Sequence, residues 1–474
     1  MNNIILQNYN ELLKKVIKDA FDSNLSKHLR KLDNNNVMNY IGLLSNLDES
    51  LCSIALESLK TTLETLDRSF KNTTERKSKY YIKSYHERSI LTVFGQLSYK
   101  RHFYTSKLNH KNYCYVDRLL GLHKYDYFDP YIKALIIDYS ADNSMPKTAK
   151  YINDLIGNRI STIDKFKFIS RQTVRNVILS AKLSNVTPEL KEDIDTLYII
   201  ADEKWIHTQN NEGKDVMQKS IVIFEGIKNN KLCNKMCFSS LDSSFLHNSL
   251  DYIYSSYNVD NINTIFLMGD GARWIKSLRT EFKFHKNLDV VYGLDKFHFK
   301  QALHHLCLNK HLESILEDYV LHNMKKEFNH VVTCLIKINP HREVSIKEKH
   351  QYIINNWLYI NNLYKFNLSC PMESQISHNI AALFTSRPKG FSKRMINKLT
   401  KLRMLYKNNF NIKKLFLNNF NSNDIFTINK GELDFSFFKA KQFEFDYNKY
   451  IPISNNDNIT YDNSFNYNDF QLLN

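Results

Sequence analysis

An α/β fold is predicted for this 474-residue chain by three features of its sequence. Short apolar or alternating runs crowd between residues 195 and 271, where they read as strands. A helical stretch, "SSFLHNSLDYIYSSY", separates the last run from the first three. Apolar residues at three- and four-residue steps dominate the chain on both sides, as in amphipathic helices. Three consecutive strands, a helix and a fourth strand describe a mixed layer architecture, with the early strands pairing as a meander.

Composition narrows the class further. With 43% apolar, 24% charged and 13% aromatic residues, the chain is globular rather than disordered. Its net charge of +16 favours a polyanionic partner, although the abundance of Lys, Asn, Ile and Tyr is also what an AT-rich genome encodes. Seven cysteines are scattered over the chain, an odd number that argues for reduced thiols in a cytoplasm. Cys233 and Cys237 lie four apart without a second Cys or His pair nearby, so buried thiols are expected there rather than zinc. "MNNIILQNYNELLKK" has no secretory pattern, and no apolar run approaches a membrane span. A soluble cytoplasmic protein without a membrane partner is expected.

Residues 1 to about 75 read as helical, with Leu44, Leu47, Leu51, Ile54, Ala55 and Leu59 on one face. "RSILTVFGQLSYKRHFY" (88–104) reads as two strands around a turn at Phe94-Gly95, where glycine can supply a positive φ. Lys100 and Arg101 make the second strand basic. It is either an edge strand protected by charge or a ribbon that touches phosphates. From 127 to 183 the pattern is helical again. "MPKTAKYINDLIG" ends at Gly157, and "ISRQTVRNVILSAK" begins with Ser170 as cap. The second helix turns Val174, Ile178 and Leu179 inward, leaving Arg171, Gln172 and Arg175 at its exposed start. That opening suits a groove-reading helix, although the 157–169 connection is long for a helix-turn-helix. Strands are expected at 195–207, 218–227, 231–240 and 263–271; after "LDVVYGLDKFHFKQALHHL" the chain reads as helical to roughly 365. The tail from about 405 is Asn- and Phe-rich and lacks periodicity.

The chemistry points to three acids. Asp202 ends "LYIIAD" and Asp270 ends "IFLMGD", where a carboxylate at the C-terminal edge of a sheet can face a crevice. Ionised carboxylates at the ends of apolar strands are costly without a cation. Two of them on neighbouring strands suggest a shared divalent ion. Glu373 opens a helix whose Ile376, Ile380, Leu383 and Phe384 share its side, which makes it the candidate third ligand. Hard Mg²⁺ takes oxygen ligands and leaves room for phosphate, and paired ions can activate one oxygen and stabilise another. Gly269 and Gly271 would let the backbone turn sharply beside a scissile strand. Glu203 and Asp295 are alternative ligands.

The motifs "ADEKWIH", "MGDGARWIK", "LDKFHFKQAL", "MESQISH" and "SRPKGFS", in that order, resemble the insertion-sequence transposases of the ISLre family of Gram-positive bacteria, relatives of the Mutator-type DDE transposases. "TVFGQLSYKRHFY" is similar to that family's N-terminal signature, and the similarity runs from about 85 to 405. The resemblance implies an RNase H-like catalytic domain with a helical insertion, preceded by a mainly helical N-terminal region with a β-hairpin. It implies Mg²⁺-dependent cutting and joining of DNA ends, with Mn²⁺ as a possible substitute. Asp202, Asp270 and Glu373 match the catalytic, metal-holding acids. Asp295, His298 and His378 match supporting positions, and Arg387 and Lys389 match phosphate contacts. Lys204, Trp205, Ser374 and Gln375 depart from the family pattern. The implied partners are the element's terminal inverted repeats and target DNA, bound as a homodimer or larger complex in a nucleoid-associated state. A DNA-binding derivative of an inactive transposase, or a nuclease that cuts without joining, would share these features. The chain is thereby divided into a helical N-terminal region (1–80), a hairpin and helix-turn-helix-like DNA-binding region (81–188), the catalytic domain (189–405, with its insertion at about 300–368) and a C-terminal tail (406–474).

Overall fold

The computed structural model describes residues 40–157, 169–184, 186, 189–191, 193–209, 215–229, 231–366, 384 and 390–421, and its architecture is mixed α/β. The long helix α1 (Tyr40–Asn72) leads through the short α2 (Thr74–Lys79) into a hairpin of β1 (Tyr80–Thr92) and β2 (Gly95–Ser106). Val93 and Phe94 form the turn, Thr92 pairs with Gly95, and Gly95 has the positive φ (126°) expected of it. A two-residue strand, β3 (Asn112–Tyr113), pairs with the other side of β2 at Tyr104 and Thr105. Leu56, Leu59, Leu63, Leu66 and Phe70 of α1 pack on Leu97, Tyr99 and Tyr104 of β2 in one core, while Leu51 stays exposed. Helix and hairpin are therefore one packed unit, and position 80 falls inside it.

After the short α3 (Tyr115–Leu119) come three helices: α4 (Pro130–Ser140), α5 (Met145–Gly157) and α6 (Arg171–Ser180). Ser170 caps α6 through its side chain, which accepts from the Thr173 amide, as the sequence predicts. Val174 and Ile178 are fully buried and Leu179 partly so.

The central sheet has β4 (Thr196–Ile206), β5 (Val216–Phe224), β8 (Met236–Ser240), β9 (Thr264–Gly269) and β10 (Asp289–Leu294), in the order β10-β9-β4-β5-β8. The first three form an antiparallel meander, and β9 and β10 run parallel to β4. The run expected as one strand at 231–240 is broken. Its first part, β7 (Lys231–Cys233), pairs with β6 (Gly226–Lys228), and Asn234 takes a positive φ between β7 and β8. The fifth strand, β10, comes from "DVVYGL", which the helical pattern following it obscured. Helices α7 (Ser244–Ser256) and α8 (Arg273–Glu281) cover one sheet face against Leu197, Ile199, Ile265 and Leu267. Ile200, Val222 and Met268 face the other side, toward Leu363 and Met404.

Five helices follow β10: α9 (Lys296–Cys307), α10 (Lys310–Leu321), α11 (Lys325–Ile338), α12 (Glu343–Asn355) and α13 (Trp357–Lys365), sharing a core around Phe299, Leu303, Phe328 and Trp357. Two helices close the described chain, α14 (Lys393–Lys407) and α15 (Ile412–Asn421). α15 lies in the stretch where the sequence shows no clear periodicity. Both pack with α4, α5 and α6 in a single cluster that includes Ile136, Ile152, Ile178, Ile396, Leu399 and Phe416. Among the described residues no helix is long and apolar enough to cross a membrane.

Candidate active site

The parallel strands set the site. Ile200 pairs with Met268 and Leu294 with Gly269, so continuing both registers puts Asp202, Asp270 and Asp295 in one row across β4, β9 and β10. Neighbouring strands lie about 4.8 Å apart, so the row brings three acids to one edge. Strand alternation places all three in phase with Ile200, Met268 and Gly293, on the face opposite α7 and α8. The ladder continues this far, because the Asp295 amide donates to the Gly269 carbonyl at 2.8 Å.

Each acid is held differently. Asp202 Oδ1 accepts the Glu203 amide at 2.7 Å, and Asp270 Oδ1 accepts the Ala272 amide at 2.9 Å in a tight Asx turn. The Asp270 carbonyl accepts the Tyr352 hydroxyl at 2.7 Å, which ties the turn to the helices after β10. Asp295 is buried and caps α9. Its Oδ2 also engages His298 Nδ1 at 2.7 Å, which fixes the imidazole with Nε2 directed away from that bond.

The electrostatics follow from this crowding. Burial pushes the Asp202 carboxyl up to about 6, and the charge of Asp270 adds to the rise. His298 is raised by its bond to Asp295, with the charges of Asp270 and Asp202 acting in the same direction. Burial pulls Lys276 of α8 below its ordinary value, against the opposing pull of Asp270. Two half-buried carboxylates side by side, with one resisting ionisation, are a donor set that a hard cation would relieve.

The glycines that flank Asp270 have a different purpose from the one expected. A Cβ on Gly269 would sit 2.6 Å from Ile275 Cγ2 and 3.2 Å from the Ala201 carbonyl, so this glycine lets α8 pack onto β4 and β9. Gly271 has φ +97°, and a Cβ there would meet Asn356 Oδ1 at 3.1 Å and Leu294 Cδ1 at 3.2 Å. The space beside the turn is filled by this protein's own side chains rather than left for a strand of nucleic acid. Gly271 still supplies the sharp turn, and its amide donates to the Tyr292 hydroxyl at 3.0 Å.

Glu373, His378, Arg387 and Lys389 lie outside the described residues. Phe366 packs on Phe266 of β9 with ring centroids 5.3 Å apart, and the Gln209 amide, just past β4, donates to the Phe391 carbonyl at 3.0 Å. Among the described residues no three His, Cys, Asp or Glu side chains converge to hold an ion. Glu203 does not join Asp202, since it faces the opposite side and accepts a hydrogen bond from Trp274 Nε1.

Of the expected DNA contacts, Arg171 and Gln172 are exposed on the first turn of α6, and Arg175 is half-buried one turn later. Lys100 is exposed in the middle of β2. Arg101 is a correction: it is buried, and its Nε donates to Asp117 Oδ1 at 2.8 Å. Arg88 Nη1 reaches Asp117 Oδ2 at 2.7 Å, so one buried carboxylate joins two guanidiniums. Arg101 holds the hairpin onto α3 and is not available to phosphate. β3 pairs with β2 only at Tyr104 and Thr105, and around Lys100 the free side of β2 is met by side chains of α1, Glu64 accepting the Lys100 amide and Asp67 the His102 amide.

A mixed α/β protein with a row of aspartates at the C-terminal edge of three parallel strands is the class that fold and site define. The profile of the Uncharacterised protein family (UPF0236) matches residues 33–418, and the chain belongs to that family. Similar proteins include two UPF0236 proteins of Caldanaerobacter subterraneus subsp. tengcongensis, each 26% identical over 422 residues; these cover 86% of this chain and 85% and 80% of the relatives. A third, from the same organism, is 26% identical over 392 residues, 80% of this chain and 81% of its own length.

Proposed function

We propose that this protein is a DNA transposase with an RNase H-like catalytic domain, cutting the ends of its element and joining their 3′-hydroxyls to target DNA. The observation that carries the reading is the placement of Asp202 and Asp270 side by side at the C-terminal ends of adjacent parallel strands. Three further facts support it. The sheet order, with a three-stranded meander followed by two strands parallel to its first member, is the topology expected of an RNase H-like domain. The net charge of +16 suits a polyanionic substrate. One relative's name also gathers eleven serial designations from a single organism, the pattern of a gene present in many copies.

In this reading Asp202 and Asp270, with Glu373, would hold Mg²⁺, and the all-oxygen set fits that ion. When bound, the metal supplies Lewis-acid assistance to phosphoryl transfer. The chain's own groups do the rest. Asp295 orients His298, whose Nε2 can donate to a phosphate oxygen beside the aspartates. Lys276 adds positive charge next to Asp270, and Arg171 and Gln172 face outward to bind duplex.

The test is nicking of terminal-repeat DNA. With Mg²⁺ the wild type is expected to nick it, while Asp270→Asn and Asp202→Asn bind the duplex but do not cut. Unchanged nicking by Asp270→Asn overturns the reading. A strand-transfer assay on pre-cleaved ends separates a transposase from a nuclease that only cuts.

A further inference from the structure

The positive charge of the chain is unevenly placed. Between Lys71 and Asn112 there are ten Lys and Arg against two acids, Glu75 and Glu87, a local net of +8 out of +16. Arg88 and Arg101 are neutralised internally by Asp117. Five of the remaining eight gather at the open end of the hairpin, away from its turn. Lys77, Lys79 and Lys83 line the entry into β1, and Lys107 and Lys111 lie in the loop from β2 to β3; all five are exposed. Among the described residues only Lys79 of these has a carboxylate partner, Glu75 at 2.9 Å.

Neutral partners hold two of these charges at the surface, the Lys83 Nζ donating to Asn112 Oδ1 at 3.1 Å and Lys107 engaging the segment before β1. Lys83 is the extra residue of a β-bulge between Ile82 and Ser84, and bulges re-aim side chains at sheet edges. Lys107 Nζ sits 4.9 Å from the ring centroid of Tyr81, itself 61% exposed, and donates to the Lys77 carbonyl at 2.7 Å. Lysines on an edge strand ordinarily discourage strand pairing, which would account for Lys83. It does not account for Lys107 and Lys111, which lie in a loop beyond the paired side of β2.

We infer that the open end of the β1–β2 hairpin, through Lys83, Lys107 and Lys111 with Tyr81 beside them, is a surface that binds the phosphate backbone of duplex DNA. A two-stranded ribbon fits the major groove, and cations on its first strand and in the loop after its second can reach phosphates beside it. The inference rests on the proposed function for the identity of the polyanion, and it takes the place of the buried Arg101 among the hairpin's expected phosphate contacts.

The experiment is fluorescence anisotropy of the full chain with a labelled duplex of about 30 base pairs over a range of salt. Each phosphate contact contributes about 0.9 to the slope of log affinity against log salt. The triple variant Lys83→Ala, Lys107→Ala, Lys111→Ala is expected to flatten the slope by about 2–3. Replacing the same three residues with Arg should retain the wild-type slope. A control removing equal charge from the exposed Lys310, Lys326 and Lys337 of the helices after β10 should also retain it. If the hairpin triple keeps the wild-type slope, or the control loses as much, the surface is overturned while DNA binding stands. If the wild type shows no salt-dependent binding, the proposed function fails with it.

Discussion

Replacing Asp202 with Asn is expected to stabilise the metal-free protein, by an amount that grows with pH. Burial and the neighbouring Asp270 hold the Asp202 carboxyl up at about 6, against about 3.9 for an unfolded aspartate. Between those two values the native state binds a proton that the unfolded state has released. Stability attributable to this group is therefore fully present below pH 4 and is lost as pH rises through about 6. Two units at about 1.36 kcal/mol each give about 3 kcal/mol, which partial exposure to water reduces to about 1–2 kcal/mol. Asn keeps an oxygen to accept the Glu203 amide but carries no charge. Urea unfolding of wild type and variant at pH 4 and pH 7.5, in chelator, should show a gap near zero at the lower pH and about 1–2 kcal/mol in favour of the variant at the higher. Mg²⁺ should narrow the gap by stabilising only the wild type. A gap independent of pH, or a variant less stable at pH 7.5, refutes the account of Asp202 as a carboxylate strained by its surroundings.

Three other outcomes are expected. Gly269→Ala must push a methyl against Ile275 Cγ2 at 2.6 Å, and denaturant unfolding should show a loss of about 1–3 kcal/mol. Asp117→Asn removes the buried charge between Arg88 and Arg101, and the same measurement should register about 3–5 kcal/mol, with restored stability when both arginines are also made neutral. Asp295→Asn removes the chief cause of the raised His298 value, so an NMR titration of the imidazole should show it falling toward 6.5; an unmoved titration rejects the Asp295–His298 pairing.

Much of the fold could be read from periodicity, and the exceptions have physical causes. Asp202 and Asp270 were legible because each ends a run of apolar residues long enough to identify a strand. Asp295 ends a third such run, "VVYGLD", and the parallel with "LYIIAD" and "IFLMGD" was a usable signal. It was hidden because α9 starts immediately afterwards and its pattern absorbed the strand. Arg101 was misjudged as a phosphate contact although strand alternation already places it with Leu97 and Tyr99, both buried. Charge suggests the surface while period two indicates the interior, and Asp117, sixteen residues after Arg101, supplies the partner that makes the interior possible. The purposes of Gly269 and Gly271 depend on Ile275, Ala201 and Asn356, contacts that no local pattern displays.

The shared cluster of α14 and α15 with α4–α6 has a practical consequence. Gln218 Nε2 of β5 donates to Thr400 Oγ1 at 2.9 Å, and Asn408 of the segment after α14 exchanges two bonds with the backbone of Cys237 in β8. Arg403 Nη1 reaches the Ala141 carbonyl at 3.3 Å on the other side. One late helix is thus bolted both to the sheet and to the helices that precede it in the chain. A truncated protein begun at residue 189 would bare the apolar flank of α14, and a fragment ended there would lose the cover of α4. Anyone seeking a minimal version of this protein would have to keep 130–184 and 393–421 together.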